Sequence, residues 1–259
     1  MPRTAFVSDF DSTLFFMRRE PHVSSEDITA IGDFRRGGGL FGACTGRPYL
    51  GLLDASYSLV GFDFYIVSGG AQILDGRGVP LYETRLERCL VEDLCREIRT
   101  SVIEEDAPMV IQANERLYSF APNSDFQIRI CSIDDIPGDR FFGISFYASS
   151  PEAASRIAES MTFRRPEVHA FHNNAVVDVV SAQCSKGKSL LLAKKLFGIE
   201  RIGAIGDSFN DVPMLEAADQ SFTFFDSPEA VRKKAGCLVR SAAEALSIFS
   251  GTGADGGSA

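Results

Sequence analysis

The sequence predicts an α/β protein, a doubly wound parallel-sheet core interrupted by an inserted α+β unit. Short apolar runs of strand length alternate with helix-patterned segments over residues 1–70, and again over 186–240. Such alternation with short links produces a parallel sheet with right-handed helical crossovers. Between about 75 and 180 the rhythm changes to hairpins mixed with helices, the mark of a separate α+β unit. The expected division is 1–75 with 181–250 for the core, 76–180 for the insert, and 251–259 for a flexible tail.

Taken in order, Ala5-Phe6-Val7-Ser8 reads as a buried strand that opens onto Asp9-Phe10-Asp11-Ser12-Thr13. Ser24 and Asp27 form a capping-box-like helix start, and Gly37-Gly38-Gly39 stops that helix. A strand over 40–44 exits at Thr45-Gly46-Arg47-Pro48, and Pro48 suits the first turn of a helix reaching about residue 60. A third strand over 62–67 ends at Ser68-Gly69-Gly70. The insert opens with a hairpin about Asp75-Gly76-Arg77-Gly78, followed by a helix over 86–105. Strands are expected near 109–113, 117–120 and 141–148, then a helix over 151–163 and strands near 167–171 and 175–180. The core resumes with a helix over 186–197 and a strand over 201–205 opening onto Gly206-Asp207-Ser208-Phe209-Asn210-Asp211. A helix from Pro213, a strand over 221–225, a helix near 228–235 and a strand over 237–240 follow.

The bulk composition narrows the function. With 259 residues, 45% hydrophobic and 24% charged, the chain has the make-up of a globular protein long enough for two domains. A net charge of -9 argues against a nucleic-acid or anionic-membrane surface, both of which select basic patches. Six cysteines without a CxxC pair read as reduced residues in small buried positions. Three histidines make a His-rich zinc site a poor expectation. No apolar run reaches membrane-spanning length and the start lacks a signal-like segment, so a cytoplasmic location is expected. Two nucleotide-binding strings fail on context. Gly37-x-Gly39-x-x-Gly42 sits between a helix and the next strand, the reverse of the dinucleotide order, and Gly187-Lys188-Ser189 lacks the first P-loop glycine because Ala182 holds that position.

The chemistry gathers at strand exits. Two carboxylates two residues apart, Asp9 and Asp11, repel unless a cation or a proton lies between them. Thr45 and Gly46 offer a hydroxyl and a backbone N–H; Lys186 opens a helix; Asp207 and Asp211 flank a turn with Asn210 beside them. A parallel sheet brings these exits to one edge. Carboxylates suit Mg²⁺, while lysine, hydroxyl and N–H groups suit a phosphoryl group. One carboxylate can then act as nucleophile and its neighbour as general acid and base.

At these residues the chain resembles the haloacid dehalogenase superfamily of hydrolases, in its Cof-like, type IIB branch with a large cap between the second and third motifs. The DxDxT motif matches Asp9-Phe10-Asp11-Ser12-Thr13, the second matches Thr45 in Cys44-Thr45-Gly46-Arg47, the lysine motif matches Lys186, and GDxxND matches 206–211. The resemblance covers the chain up to its tail. It implies a Rossmann-like core and a cap domain, with Asp9 as nucleophile and Asp11 as general acid/base. It also implies Mg²⁺ on the Asp9 carboxylate, the Asp11 carbonyl and Asp207, with Asp211 close by. Thr45, Gly46, Lys186 and Asn210 would hold the phosphoryl group, with Lys188 as a substitute for Lys186. The branch commonly has glycine where Ser12 stands, and an Asn-Gly-Ala-like turn where Ser68-Gly69-Gly70-Ala71 stands.

The implied activity is Mg²⁺-dependent hydrolysis of a small phosphorylated metabolite, with a sugar phosphate as the expected class. The alternatives are a phosphotransferase or phosphomutase using the same aspartyl phosphate, or a receiver-like regulatory phospho-aspartate protein, whose length would be about half. Specificity would come from the cap. Asn114, Arg116, His172, Asn173 and Asn174 fall in expected turns or strand ends, and Arg47 directly follows the phosphate-binding turn. The sequence sets no oligomeric state.

Overall fold

The computed structural model describes residues 3–56, 60–101 and 108–251. The expected tail past 251, residues 57–59 of the helix expected to reach about 60, and the helix end expected near 105 lie outside the described residues; Val60 itself is not helical.

The first sheet is built around β1 (Thr4–Ser8), whose Ala5, Phe6 and Val7 are fully buried, as a central parallel strand requires. The chain leaves it through α1 (Ser25–Arg36), β2 (Leu40–Cys44), α2 (Tyr49–Ser56) and β3 (Phe64–Val67). It returns on the other side of β1 through α5 (Lys186–Leu196), β12 (Arg201–Ile205), α6 (Val212–Ala217), β13 (Gln220–Phe224), α7 (Glu229–Arg232), β14 (Cys237–Val239) and α8 (Ala242–Ser250). The strand order β14-β13-β12-β1-β2-β3 is parallel throughout. The direction of winding therefore reverses at β1, the switch point where open α/β sheets bind ligands.

The hairpin of β4 (Gln72–Asp75) and β5 (Pro80–Glu83) straddles residue 76, where the insert is expected to begin. β4 pairs antiparallel with β3, and β5 with β4, so the hairpin extends the first sheet to eight strands. Its alternating pattern signals a hairpin but not which sheet edge it joins. The second sheet, in the order β10-β11-β9-β6-β7-β8, uses β6 (Met109–Ala113), β7 (Arg116–Ser119), β8 (Gln127–Arg129), β9 (Phe141–Tyr147), β10 (Val168–Asn173) and β11 (Val176–Ser181). α3 (Arg88–Ser101) and α4 (Pro151–Arg164) complete it, and one face buries Ile111, Ile144, Phe146, Val177 and Val179 in a core with Leu94 and Ala158 of those helices. β8 and α8 are absent from the sequence expectation. β8 is three residues long, and α8 is short and alanine-rich.

Two apolar layers sandwich the first sheet. On one side Phe6 packs against Phe41, Phe222 and Phe249, with ring centroids 6.4, 5.7 and 5.5 Å away. On the other, Val7, Cys44 and Ile66 meet Leu190 and Met214. Ser24 caps α1 as expected, accepting from the Asp27 N–H at 3.0 Å. The Asp27 carboxylate also accepts from the Ala243 N–H at 2.7 Å, so one buried acid fixes the start of both α1 and α8. No helix among the described residues is long and apolar enough to cross a membrane.

Candidate active site

β1 delivers Asp9 to the switch point, where its N–H still donates to Ile205 O at 2.9 Å. The chain then turns tightly, with Leu14 and Phe15 N–H groups both donating to Phe10 O. Ser12 takes φ 63°, a left-handed conformation that favours glycine, at the position where the resembling branch carries one. Thr13 Oγ1 donates to Asp207 Oδ1 at 2.7 Å, tying the loop after β1 to the loop after β12.

Lys186, the first residue of α5, is buried and donates through Nζ to Asp9 Oδ1 at 2.6 Å and to Asp211 Oδ1 at 2.5 Å. Lys188, two residues on, points away and donates to Ala182 O, so it does not substitute. Asp211 is fully buried; its other oxygen accepts the N–H groups of Asp207 and Ser208, each at 3.0 Å. That close approach explains Gly206, where a Cβ would lie 2.5 Å from Asp211 Cγ. Burial, followed by the opposing pull of Lys186 and the push of Asp211 and Asp207, raises the Asp9 carboxyl well above its ordinary value. Burial likewise lifts Asp207 to about 6. For Lys186, burial alone would favour the neutral amine, but Asp211 and Asp9 outweigh it and hold the ammonium.

Oxygens of Asp9, Asp207 and Asp211 lie within 4.8 Å of one another. Three carboxylates facing one ammonium carry unbalanced negative charge, which adds to the larger effect of burial in raising Asp9 and Asp207. An all-oxygen cluster of that charge fits a hard divalent cation such as Mg²⁺. Asp11 adds no side-chain oxygen to it. Arg47 takes both, Nη2 to Oδ1 at 2.7 Å and Nε to Oδ2 at 2.8 Å.

The second sheet roofs this site. Side chains alternate across a strand, so with Ile111, Ile144, Val177 and Val179 turned to the helices, Val110, Gln112, Ser145, Tyr147, Val176 and Asp178 face the first sheet. A cleft of about 270 Å³ separates them from Asp9, Asp11, Thr45, Gly46, Arg47, Ser208 and Asn210. Gln112 Nε2 crosses it to Gly46 O at 3.2 Å. Burial raises the Asp178 carboxyl against the opposing Ser145 hydrogen bond, whose Oγ donates to it at 2.5 Å.

The core residues expected from sequence thus converge, whereas the expected substrate contacts mostly do not. Asn114 has φ 49° and donates to Pro137 O, a turn-forming role; Arg116 is exposed on β7; Asn174 forms the β10–β11 turn with φ 53°. His172 stacks on Phe209, ring centroids 5.3 Å apart, joining the second sheet to the loop after β12. None of these four lines the cleft; Asn173 and Arg47 do. Gln112, Ser145 and Asp178 were outside the expectation, and the readable signal for them is polar residues in step with one face of otherwise apolar strands.

A family model described as haloacid dehalogenase-like hydrolase matches residues 6–248. Phosphatase YwpJ of Bacillus subtilis is 30% identical over 163 residues, 60% of this chain and 55% of that protein. A haloacid dehalogenase-like hydrolase from B. subtilis superposes with a TM-score of 0.80 at 19% identity, covering 95% of this chain and 98% of its own. A HAD subclass IIB sugar phosphatase superposes at 0.76 and 20% identity, covering 95% and 99%. These two structures carry the same fold, and the family match spans almost the whole chain: the protein belongs to the haloacid dehalogenase-like hydrolases.

Proposed function

We propose that the protein is a Mg²⁺-dependent phosphatase of a small phosphorylated metabolite, with sugar phosphates as the substrate class. The observation that carries this is Asp9, buried between the Lys186 ammonium and the Asp207 and Asp211 carboxylates, beneath a roof that mixes polar and apolar side chains. Asp9, Asp207 and Asp211 would hold the metal, which when bound neutralises negative charge on the phosphoryl oxygens. Asp9 attacks phosphorus, forming an aspartyl phosphate as the ester P–O bond breaks. Asp11 protonates the departing alkoxide, then takes a proton from the water that cleaves the acyl phosphate. Lys186, Thr45, Gly46 and Asn210 orient the phosphoryl group. The phosphatase relative supports the activity, and the sugar-phosphatase neighbour supports the substrate class.

The test is phosphate release from sugar phosphates, nucleotides and pyridoxal phosphate, with Mg²⁺ and with EDTA, beside Asp9→Asn. Metal-dependent release abolished by Asp9→Asn supports the reading. Phosphoryl transfer to added sugar in preference to water would replace it with a phosphotransferase. A persistent phospho-Asp9 without turnover would replace it with a regulatory role.

A further inference from the structure

Gln112 holds an unusual position. It is 8% exposed, on the roof face of β6, and its amide is bonded across the cleft to the Gly46 carbonyl. A carbonyl oxygen can only accept, so that bond fixes which end of the amide is nitrogen and aims Oε1 elsewhere. Oε1 is buried and has no hydrogen-bond partner. A buried acceptor without a donor is costly, and a ligand hydroxyl that reaches it removes the cost. Gly46 adjoins Thr45 in the turn expected to hold the phosphoryl group, so such a hydroxyl would belong to the alcohol half of the ester.

The rest of the roof has the same chemical sense. Ser145 and Asp178 line the cleft beside Gln112, and the Ser145 hydroxyl hydrogen is already given to Asp178. Val110, Leu117, Gln127, Tyr147, Asn173 and Val176 complete the described roof around them, and none is cationic. Arg47 is the cation in the cleft wall, and both its ion-pairing arms are on Asp11. A second phosphate or a carboxylate on the leaving group would find no counter-charge there and would meet Asp178. A neutral polyol would find acceptors.

Building on the phosphatase reading, we propose that Gln112 is a specificity residue whose Oε1 accepts from a leaving-group hydroxyl, selecting monophosphates of neutral polyhydroxy alcohols. Bisphosphates and esters lacking hydroxyls are disfavoured.

The experiment compares kcat/KM for a hexose 6-phosphate, the corresponding hexose 1,6-bisphosphate and phenyl phosphate, in the unsubstituted protein and in Gln112→Leu. Ratios between substrates in one preparation do not depend on the folded fraction, so partial misfolding of the variant cannot mimic the result. The unsubstituted protein is expected to prefer the hexose monophosphate over both others by about tenfold or more, because sites built to bond a hydroxyl discriminate against its absence. In Gln112→Leu the preference over phenyl phosphate is expected to fall by about tenfold, mainly through KM. An unchanged ratio in the variant, or a preference for the bisphosphate, overturns the assignment while leaving the phosphatase reading intact. No turnover of any ester by the unsubstituted protein overturns both.

Discussion

The Arg47 guanidinium holds both carboxylate oxygens of Asp11, at 2.7 and 2.8 Å, and also reaches Gly51 O at 3.2 Å. Its carbon lies 5.4 Å from the Phe10 ring centroid, so the fork is seated on the same loop that carries Asp11. The pair is partly exposed, which limits its worth for stability. Its consequence is orientation. An acid whose two oxygens are both engaged must release one to reach a leaving-group oxygen, and a planar fork defines the geometry from which it does so.

Arg47→Lys keeps the charge and loses the bidentate fork. With Asp11 less well placed, kcat is expected to fall by about ten- to a hundredfold, the scale of small misplacements in a reacting group. Steady-state kinetics on the best ester provide the check. A rise in KM with kcat intact would instead return Arg47 to the substrate contact that its place after Gly46 suggests.

The carboxylate cluster makes metal removal a stability experiment. Binding to the folded state alone adds stability by mass action, so Mg²⁺ should raise the melting temperature of the unsubstituted protein. Asp207→Asn removes one ligand and one crowded charge. It should melt higher than the unsubstituted protein in EDTA and gain less from Mg²⁺. Equal Mg²⁺ shifts in the two proteins would remove Asp207 from the metal site.

Phe6 tests the core beneath the site. It is fully buried and meets three other phenylalanine rings from β2, β13 and α8. Phe6→Ala should destabilise by about 3–5 kcal/mol, the range for a buried aromatic truncated where neighbours cannot collapse. Urea unfolding measures it. A cost below about 1 kcal/mol would mean that the four-ring cluster closes over the gap.

How far the sequence could be read follows from the range of the interactions involved. Asp9, Thr45, Lys186 and Asp207 each follow an apolar strand or open a helix, so local pattern alone placed them at one sheet edge. Pairing across sheets has no such local trace. The β4–β5 hairpin is readable as a hairpin, but joining β3 rather than the second sheet depends on long-range register. Gln112 sits in Met109-Val110-Ile111-Gln112-Ala113, which reads as an ordinary strand until Ile111 is known to face the helices. Asn114 and Asn174 show the opposite difficulty: asparagines in turns suit ligand contact and turn formation alike, and only the structure shows their positive φ angles.

Asp178 offers a pH test on the roof of the cleft, outside the three carboxylates of the metal cluster. Burial raises its carboxyl above the ordinary value, with the Ser145 hydrogen bond and then Lys186 opposing. The folded state therefore binds this proton more tightly than the unfolded chain does. Its contribution is fully present below the unfolded value, about pH 4, and is lost as pH rises through the folded value. At pH 7, above its ordinary value, the raised carboxyl is a cost to folding. Asp178→Asn, which can still accept from Ser145, should therefore be more stable than the unsubstituted protein at pH 7. The gain should shrink on acidification and vanish below about pH 4, where both states of the parent are protonated. Urea midpoints across pH 4–8, in EDTA for both proteins, give the comparison. A difference that does not change with pH would show that the substitution acts through packing, and that the carboxyl of Asp178 is not held above its ordinary value.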